Sequence, residues 1–247
     1  MEISLVIPAY NEEAFIGVCL ENAIKNSNGQ LKEIIVVDNA STDRTAEIAS
    51  SYPGVRVIHE SRQGTSHARQ TGAEEAKGEI IAYTDADTRM HAGWVETIRD
   101  TFAHYPHVVF LSGPYRYYES IRYPRWILNT MWWIFVPPVY WIVGFVGNGG
   151  NCAVRRDALL KVGGNDRSIA FYGDDTDLAR RLHQVGTTLW RNNFYMYTSA
   201  RRFDETGLVK LCIIYMLNYW WPVLFHRPYT TGIHLNKAQE QAQNKNV

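Results

Sequence analysis

The chain has 247 residues, of which 46% are hydrophobic, and its 25 Lys and Arg balance its 25 Asp and Glu. That length accommodates one large α/β domain, and a net charge of zero excludes the strongly basic surface typical of nucleic-acid-binding proteins. Cys19, Cys152 and Cys212 lack a metal-type spacing, and the segment after Met1 has no signal-peptide pattern, so we expect a protein of the reducing cytoplasm.

Short apolar runs alternate with amphipathic helices in the first part of the chain. The predicted strands are 3–7, 34–37, 55–58, 79–83 and 108–111. The predicted helices are 44–50, 66–76, 93–105 and one after strand 3–7 whose core face comprises Phe15, Val18, Cys19 and Ala23. This alternation predicts an α/β fold with a mostly parallel central sheet and helices on both faces.

Acidic residues follow two of the predicted strands. Asp38 follows strand 34–37, and Asp85 and Asp87 follow strand 79–83. In open α/β sheets ligands bind beyond the carboxyl ends of the strands, so these acids are placed for chemistry. Carboxylate oxygens suit Mg²⁺ or Mn²⁺, and two of them leave positions for phosphate oxygens and water. The pattern predicts a metal site for a diphosphate ligand. The alternative is a polar turn that ends a strand.

The second part of the chain contains several glycine signals. Residues 147–151 predict a tight turn, and Gly163 ends a predicted helix over 156–162. Residues 171–177 open a further helix whose core stripe is Leu178, Leu182 and Val185. After a strand-like run at 194–198, Arg201 and Arg202 are candidates for a mobile pair that reaches a diphosphate or an anionic acceptor. The alternative is surface charge. The polar tail after Leu235 is expected to be frayed or helical at the surface.

Two aromatic segments have few charges. Residues 126–154 contain no Asp, Glu, Lys, Arg or His and are interrupted by Pro137 and Pro138, and 208–225 carries only Lys210 as a charge. Neither is expected to span a membrane. One interpretation is a surface that docks on a membrane, with Lys210, His226 and Arg227 at anionic headgroups. The other is a buried aromatic floor, or packing of the segments on each other or on a second subunit.

Six motifs in order resemble the inverting family-2 glycosyltransferases, which have the nucleotide-sugar-binding fold called GT-A. They are Pro8-Ala9-Tyr10-Asn11-Glu12, Asp38, Gly64 through Arg69, Asp85-Ala86-Asp87, Gly149-Gly150-Asn151 and Gly173-Asp174-Asp175. The resemblance runs from Ile3 to about Arg202. It implies one continuous domain in which residues 1–112 form the donor-binding half and residues 113–247 the acceptor-binding half.

The resemblance also implies donor-binding roles for individual residues. The residues implied in binding the nucleotide, ribose or diphosphate are Pro8, Ala9, Tyr10, Glu12, Asp38, Gly64, Arg69 and Asp85, and Asp87 is implied as a metal ligand together with Asp85. An aspartate at the position of Asp38 often accompanies uracil, with guanine and thymine as alternatives. The implied co-substrate is a nucleotide-sugar, and the implied metal is Mg²⁺ or Mn²⁺.

For catalysis, the resemblance implies that Asp175 is the general base. Relatives usually carry Glu-Asp where this chain has Asp174-Asp175, so Asp174 remains an alternative base. A divalent ion would stabilise the leaving diphosphate, and a base on the opposite face of the sugar gives inversion. The Gln-x-x-Arg-Trp pattern of processive synthases is absent, so we expect a single addition. Alternatives are a sugar-phosphate nucleotidyltransferase, which usually has a phosphate loop not found here, or an inactive nucleotide-sugar-binding module.

The aromatic segments give an expectation about the acceptor. We expect a cytoplasmic enzyme on the inner membrane face, with a lipid-linked glycan or a polyprenyl phosphate as acceptor. A soluble acceptor with the aromatic segments buried in the core or in a homo-oligomer interface is the alternative. No nucleic-acid partner is expected.

Overall fold

A computed structural model describes residues 1–120, 122–169 and 173–225. The strands are β1 (Ile3–Ala9), β2 (Glu33–Asp38), β3 (Val55–His59), β4 (Ile80–Thr84), β5 (Thr88–Arg89), β6 (Val108–Ser112), β7 (Tyr115–Glu119), β8 (Asn151–Arg155), β9 (Thr187–Trp190) and β10 (Met196–Ser199). The helices are α1 (Ile16–Asn26), α2 (Thr45–Ser50), α3 (Thr65–Glu75), α4 (Trp94–His104), α5 (Arg125–Val143), α6 (Arg156–Lys161), α7 (Asp174–His183), α8 (Arg201–Thr206) and α9 (Leu208–Phe225).

The central sheet has the strand order β3-β2-β1-β4-β8-β6-β9. β1 pairs in parallel with β2 and β4, and β2 with β3, so the predicted strands of the first part of the chain run in one direction. β8 is antiparallel to both of its neighbours, β4 and β6. The predicted α/β fold with a mostly parallel sheet is confirmed, with β8 as the antiparallel strand that the sequence pattern did not indicate.

Side chains of successive strand residues alternate between the two faces of the sheet, and each face has its own core. On one face Leu5 and Ile7 pack with Leu20 of α1 and Trp94 of α4. On the other, Val6 lies in a second cluster with residues of α3, α6 and α7. Helices therefore cover both faces. A truncation such as Leu5→Ala in this close-packed core would cost about 2–5 kcal/mol of folding free energy.

The helix faces predicted from spacing are partly wrong. Val18 of α1 is 41% exposed and Val185, just after α7, is 43% exposed. Ile16 and Leu20 are the buried residues that flank Cys19 in α1. A surface helix buries a stripe, and an apolar residue at its margin remains in water.

A small second sheet with the order β5-β10-β7 stands beside the end of β4. It positions β10, which immediately precedes Arg201 and Arg202 at the start of α8. Within the described residues, the strands form the seven-stranded central sheet and this three-stranded sheet.

Helices α5 and α9 differ from the other helices in their exposure. α5 continues through Pro137 and Pro138, so the expectation that these prolines interrupt the segment is wrong. Leu128 is the one fully buried residue of α5, and Trp141 is 83% exposed. By length and composition both helices could cross a membrane, and only 6% and 17% of their most apolar stretches are buried. Most of the α5 surface is thus not a buried aromatic floor.

Some predictions concern residues outside the described ranges. Phe171 and Tyr172, at the predicted start of α7, lie there, and α7 itself begins at Asp174. His226, Arg227 and the tail after Leu235 also lie outside the described residues.

Candidate active site

The carboxyl ends of β1, β2 and β4 meet at one edge of the sheet because these strands are parallel. Ala9 is paired in register with Asp38, the last residue of β2. The Asp38 side chain is buried; its Oδ2 lies 3.0 Å from His59 Nδ1, and its Oδ1 accepts the Ser41 N–H at 3.3 Å. The predicted base-reading acid is therefore held rigidly at this edge.

Asp85 follows β4 and both of its carboxylate oxygens accept hydrogen bonds. The Tyr115 hydroxyl donates to Oδ2 at 2.7 Å, and Arg69 Nη2 donates to Oδ1 at 3.1 Å. Burial, together with the Asp85 charge, raises the pKa of Tyr115 well above its ordinary value, so the phenol stays a donor. Asp85 is thus fixed in orientation by two side chains from distant parts of the sequence.

Asp87 faces a different set of side chains. Its Oδ2 lies 3.3 Å from Arg201 Nη2 and its Oδ1 lies 3.5 Å from the Thr198 hydroxyl. Burial raises the pKa of Asp87, and the Arg201 charge opposes this effect. The same Arg201 guanidinium forms an ion pair with Glu12, whose pKa is raised to about 7 mainly by burial.

The acidic corner formed by Asp85, Asp87 and Glu12 fits a divalent cation in its chemistry. Glu12 Oε2 is buried and has no hydrogen-bond partner. Carboxylate oxygens are the ligands that Mg²⁺ and Mn²⁺ prefer. Within the part of the chain that the structure describes, no group of three or more His, Cys, Asp or Glu side chains is arranged to hold an ion. An ion at Asp87 and Asp85 would therefore depend on further oxygen ligands from substrate and water.

The two candidate bases stand at the start of α7. Asp174 Oδ2 pairs with Arg69 Nη1 at 2.5 Å. Asp175 Oδ2 accepts the Gly149 N–H at 3.1 Å, and its Oδ1 accepts its neighbour's backbone N–H at 2.8 Å. Burial, with the Asp174 charge adding to it, raises the pKa of Asp175 to about 6. The two carboxylates thus differ in their partners. Asp174 is paired with the buried guanidinium of Arg69, whereas Asp175 accepts hydrogen bonds from backbone N–H groups.

The backbone of the glycine turn before β8 lies in close contact with the side chains of Arg69 and Asp85. A Cβ atom on Gly149 would lie 2.4 Å from Arg69 Nη1, and one on Gly150 would lie 2.0 Å from Asp85 Oδ2. Asn151 is fully buried, accepts the Trp94 indole N–H at 2.9 Å and donates to two backbone carbonyls. The predicted Gly-Gly-Asn turn therefore combines close backbone approach with a buried anchor.

A cavity of about 340 Å³ brings six of the predicted site residues together. These residues are Arg69, Asp85, Asp87, Asp174, Asp175 and Arg202. The rest of the wall is largely apolar and includes one side of α5 and one side of α9. The cavity therefore joins an acidic end to an apolar end.

The other predicted donor-binding residues lie along the adjoining edge, outside this cavity. They are Pro8, Ala9, Tyr10, Glu12, Asp38 and Gly64. Glu12 connects to the cavity through Arg201 and Asp87, and Gly64 precedes Thr65, which lines the cavity. Gly64 has a φ of 138° and its N–H donates to Asn39 Oδ1 at 2.8 Å.

Sequence reasoning missed three features of this site. Tyr115 and Thr198 were not predicted, and Arg69 was expected along the ribose and diphosphate, whereas here it bridges Asp85 and Asp174. Tyr115 is an unremarkable strand residue 30 positions from Asp85, and no local pattern indicates its contact. A basic residue in α3 flanked by small buried residues was the one available signal for Arg69.

The mostly parallel sheet with acids at its strand ends is the GT-A glycosyltransferase fold. The family model described as Glycosyl transferase family 2 matches residues 4–163, and the chain belongs to this family. It is 28% identical over 193 residues to a glucosyl-dolichyl phosphate glucuronosyltransferase of Haloferax volcanii, covering 70% of this chain and 59% of that protein. It is 37% identical over 101 residues to the uncharacterized glycosyltransferase YibD of Escherichia coli, covering 39% of this chain and 29% of YibD. The chain thus matches less than two thirds of either relative.

Two solved structures share the fold. The mannosyltransferase PcManGT of Pyrobaculum calidifontis, in complex with GDP-Man and Mn²⁺, has a TM-score of 0.65 at 21% identity and covers 90% of this chain and 64% of its own. Glucosyl-3-phosphoglycerate synthase of Mycobacterium tuberculosis, in complex with Mn²⁺ and UDP-glucose, has a TM-score of 0.65 at 21% identity, covering 88% and 78%. At 21% identity, the similarity to these two structures shows a shared fold alone.

Proposed function

We propose that this protein transfers a sugar from a nucleotide-diphosphate donor to an acceptor hydroxyl, with inversion and with a divalent metal. The observation that carries the proposal is the convergence of Asp85, Asp87, Asp174 and Asp175 on one cavity. Two of these acids follow strand β4 and two begin helix α7, so the cavity has separate acidic sites for a leaving group and for an attacking group. Family membership supports the same reaction class.

Asp175 is the base in this proposal. Its pKa of about 6 lets it be ionised at neutral pH and still accept a proton readily. The Gly149 N–H orients the carboxylate toward the cavity, where it takes the proton of the acceptor hydroxyl. Asp174 is less suited to this role because its carboxylate is paired with the buried guanidinium of Arg69. No second nucleophilic carboxylate is needed for an inverting displacement.

Asp87, with Asp85, would hold Mg²⁺ or Mn²⁺ in this proposal. When bound, the ion supplies positive charge that stabilises the departing diphosphate. Arg202 lines the same cavity and Arg201 already neutralises Asp87, so both arginines are close enough to interact with an anionic donor or acceptor. Solved structures of the same fold contain Mn²⁺ or Mg²⁺ together with nucleotides.

UDP is the favoured nucleotide, on the basis of Asp38. Its carboxylate is buried at the end of β2 and is held by Ser41 and His59, which suits recognition of an N–H on a base. The solved structures of this fold contain both UDP-glucose and GDP-Man, so guanine is the first alternative, and thymine is the second. Thermal-shift measurements with UDP, GDP and dTDP in the presence of Mn²⁺ separate them, and strongest stabilisation by GDP would overturn the choice.

The decisive test of the transfer reaction is Asp87→Ala. We expect loss of Mn²⁺-dependent UDP binding and of UDP release from UDP-sugars, with retained folding, because the metal ligand is removed. Asp157→Ala, on the exposed surface of α6, is the matched control. Full activity of Asp87→Ala, or of the unmodified protein in excess chelator, contradicts the proposal. Release of pyrophosphate from UTP and a sugar 1-phosphate, with no UDP release from UDP-sugars, indicates a nucleotidyltransferase, and binding without turnover of any donor indicates an inactive module.

For the acceptor we propose a lipid-linked glycan, with a polyprenyl phosphate as the second candidate, reached at the inner face of the membrane. Exposed aromatic and aliphatic side chains on α5 and α9 support membrane contact, among them Trp141 at 83% and Val209 at 71% exposure. The Haloferax relative is named for a dolichyl-phosphate-linked substrate, which supports the same acceptor class. A single sugar is added in each reaction.

Liposome flotation tests the membrane contact. We expect the protein to float with anionic liposomes at physiological salt, and Trp141→Glu with Ile142→Glu to abolish flotation because charge is placed on the exposed side of α5. Leu160→Glu, at a 70% exposed position on α6, is the control and should float normally. If the protein without detergent stays in the soluble fraction, these faces are instead an interface between subunits or with a partner.

A further inference from the structure

The cavity that contains the acids continues between α5 and α9. We propose that the hydrocarbon chain of the acceptor lies in this continuation, which we call the α5–α9 channel, so that the protein binds the lipid chain as well as the reacting head. The channel is lined by Leu128, Met131, Trp132, Phe135, Val136 and Val139 of α5 and by Cys212, Tyr215, Met216, Asn218 and Tyr219 of α9. This inference rests on the proposed lipid-linked acceptor and adds a binding site for its chain.

The α5 wall is one continuous stripe. Its lining positions follow the spacing of three and four residues that places side chains on one face of a helix. The stripe is entirely apolar or aromatic, and Trp132 stacks on Trp190 with 5.8 Å between ring centroids. This contact fixes the indole beside the channel, so the wall is formed before any ligand enters.

The α9 residues form the other wall of the channel. Leu128 of α5 and Leu211 of α9 are fully buried in one hydrophobic cluster with Phe203 of α8, so the two walls share a packed apolar base. Phe135 is 52% and Met216 45% exposed although both line the channel, so each wall of the channel reaches the protein surface. Trp141 and Val209, proposed above to contact lipid, belong to the same two helices as these exposed lining residues.

The opposite end of the cavity is charged. Asp174 and Asp175 line it, and Tyr219 of α9 lies near enough that the Asp175 charge contributes to the raised pKa of its phenol. A ligand that fills the whole space needs a polar end at Asp175 and an apolar end between α5 and α9. Each methylene group buried in the channel should strengthen binding about fourfold.

The test uses n-alkyl β-D-glucosides from butyl to dodecyl, below their micelle concentrations, as probes of the channel. Binding to the full chain is followed by tryptophan fluorescence in the presence of UDP and Mn²⁺. We expect affinity to rise with chain length. Val139→Trp and Met216→Trp, which fill the channel from its two walls, should weaken dodecyl binding at least tenfold and leave butyl binding unchanged. Ile134→Trp, a 58% exposed α5 position outside the channel lining, is the control.

The outcomes separate this inference from the proposed function. Binding of UDP and Mn²⁺ is measured on the same samples, and a variant that retains it is folded at the site. Affinity independent of chain length, filling variants without effect, or equal loss in Ile134→Trp each overturn the channel. If UDP and Mn²⁺ fail to bind while the chain-length dependence persists, the proposed transfer fails and the channel stands.

Discussion

The guanidinium of Arg201 lies 3.3 Å from Asp87 Oδ2, at the carboxylate proposed to hold the metal. The same arginine pairs with Glu12, which the sequence places 189 residues away. A positive charge thus already stabilises these two partly exposed acids. Because a divalent ion at Asp87 would share this carboxylate, we expect the arginine and the ion to compete.

Replacement of Arg201 tests that competition. Without nucleotide, Arg201→Gln should bind Mn²⁺ about tenfold more tightly, equivalent to about 1.4 kcal/mol, because the competing cation is gone. Electron paramagnetic resonance of free Mn²⁺ measures the affinity directly. Arg44→Gln, an exposed arginine paired with Glu47, is the control. Unchanged or weaker Mn²⁺ binding by Arg201→Gln would show that the arginine does not restrict the site.

Asp175 should control the pH dependence of transfer. Its pKa is raised to about 6 from 3.8, so kcat should fall about tenfold per pH unit below pH 6, as the base becomes protonated. Because the folded state favours the protonated carboxyl of Asp175, this group contributes to the free energy of unfolding fully below about pH 4. The contribution is lost as the pH rises through 6. Asp175→Asn should abolish transfer with unchanged donor affinity by calorimetry. If Asp174→Asn instead shows intact binding and no transfer, Asp174 is the base.

Gly150→Ala should damage the site through one methyl group. The added Cβ would lie 1.9 Å from the Tyr115 hydroxyl oxygen and 2.0 Å from Asp85 Oδ2, so the hydrogen bond between them cannot persist. We expect at least tenfold weaker Mn²⁺-dependent UDP binding. In Gly54→Ala the new methyl group meets no atom within 4 Å, although the φ of 81° is strained. That control should lose stability only, and equal loss of binding in both variants would contradict the argument.

Arg69 should be important for folding as well as for the site. It is buried between Asp85 and Asp174, so Arg69→Met leaves two carboxylates without their cation and should cost about 3–5 kcal/mol in urea unfolding. Adding Asp174→Asn should recover part of this loss because one unpaired charge is removed. Additive costs in the double variant would show that the pair is not coupled.

The sequence predicted those parts of the fold that depend on local periodicity. β1, β2 and β4 are recognisable as short apolar runs, and the acids that follow β2 and β4 can be assigned to one sheet edge. β8 was missed because Asn151–Arg155 is short, follows a glycine turn and obtains its place only by antiparallel pairing with β4 and β6. The continuity of α5 was missed because Pro137 and Pro138 lack the N–H groups of a regular helix.

In the candidate site, too, local motifs could be predicted from the sequence and long-range contacts could not. Asp85, Asp87 and Asp175 are visible in short motifs, whereas the side chains that orient them come from distant segments. Tyr115 meets Asp85 across 30 residues, and Arg69 meets Asp174 across 105. Such pairs depend on the packing of whole elements, and a single sequence carries no periodic signal for them. The α5–α9 channel likewise exists only once two separate helices have been placed.

The antiparallel strand β8 has a consequence for protein engineering. It belongs to the second half of the chain, yet it lies between β4 and β6, which belong to the first. A fragment that stops at residue 112 would leave both of those strands with unpaired edges, and such edges promote aggregation. Chimeras that exchange the first 112 residues between relatives to alter donor preference would therefore have to carry a matching β8 with them.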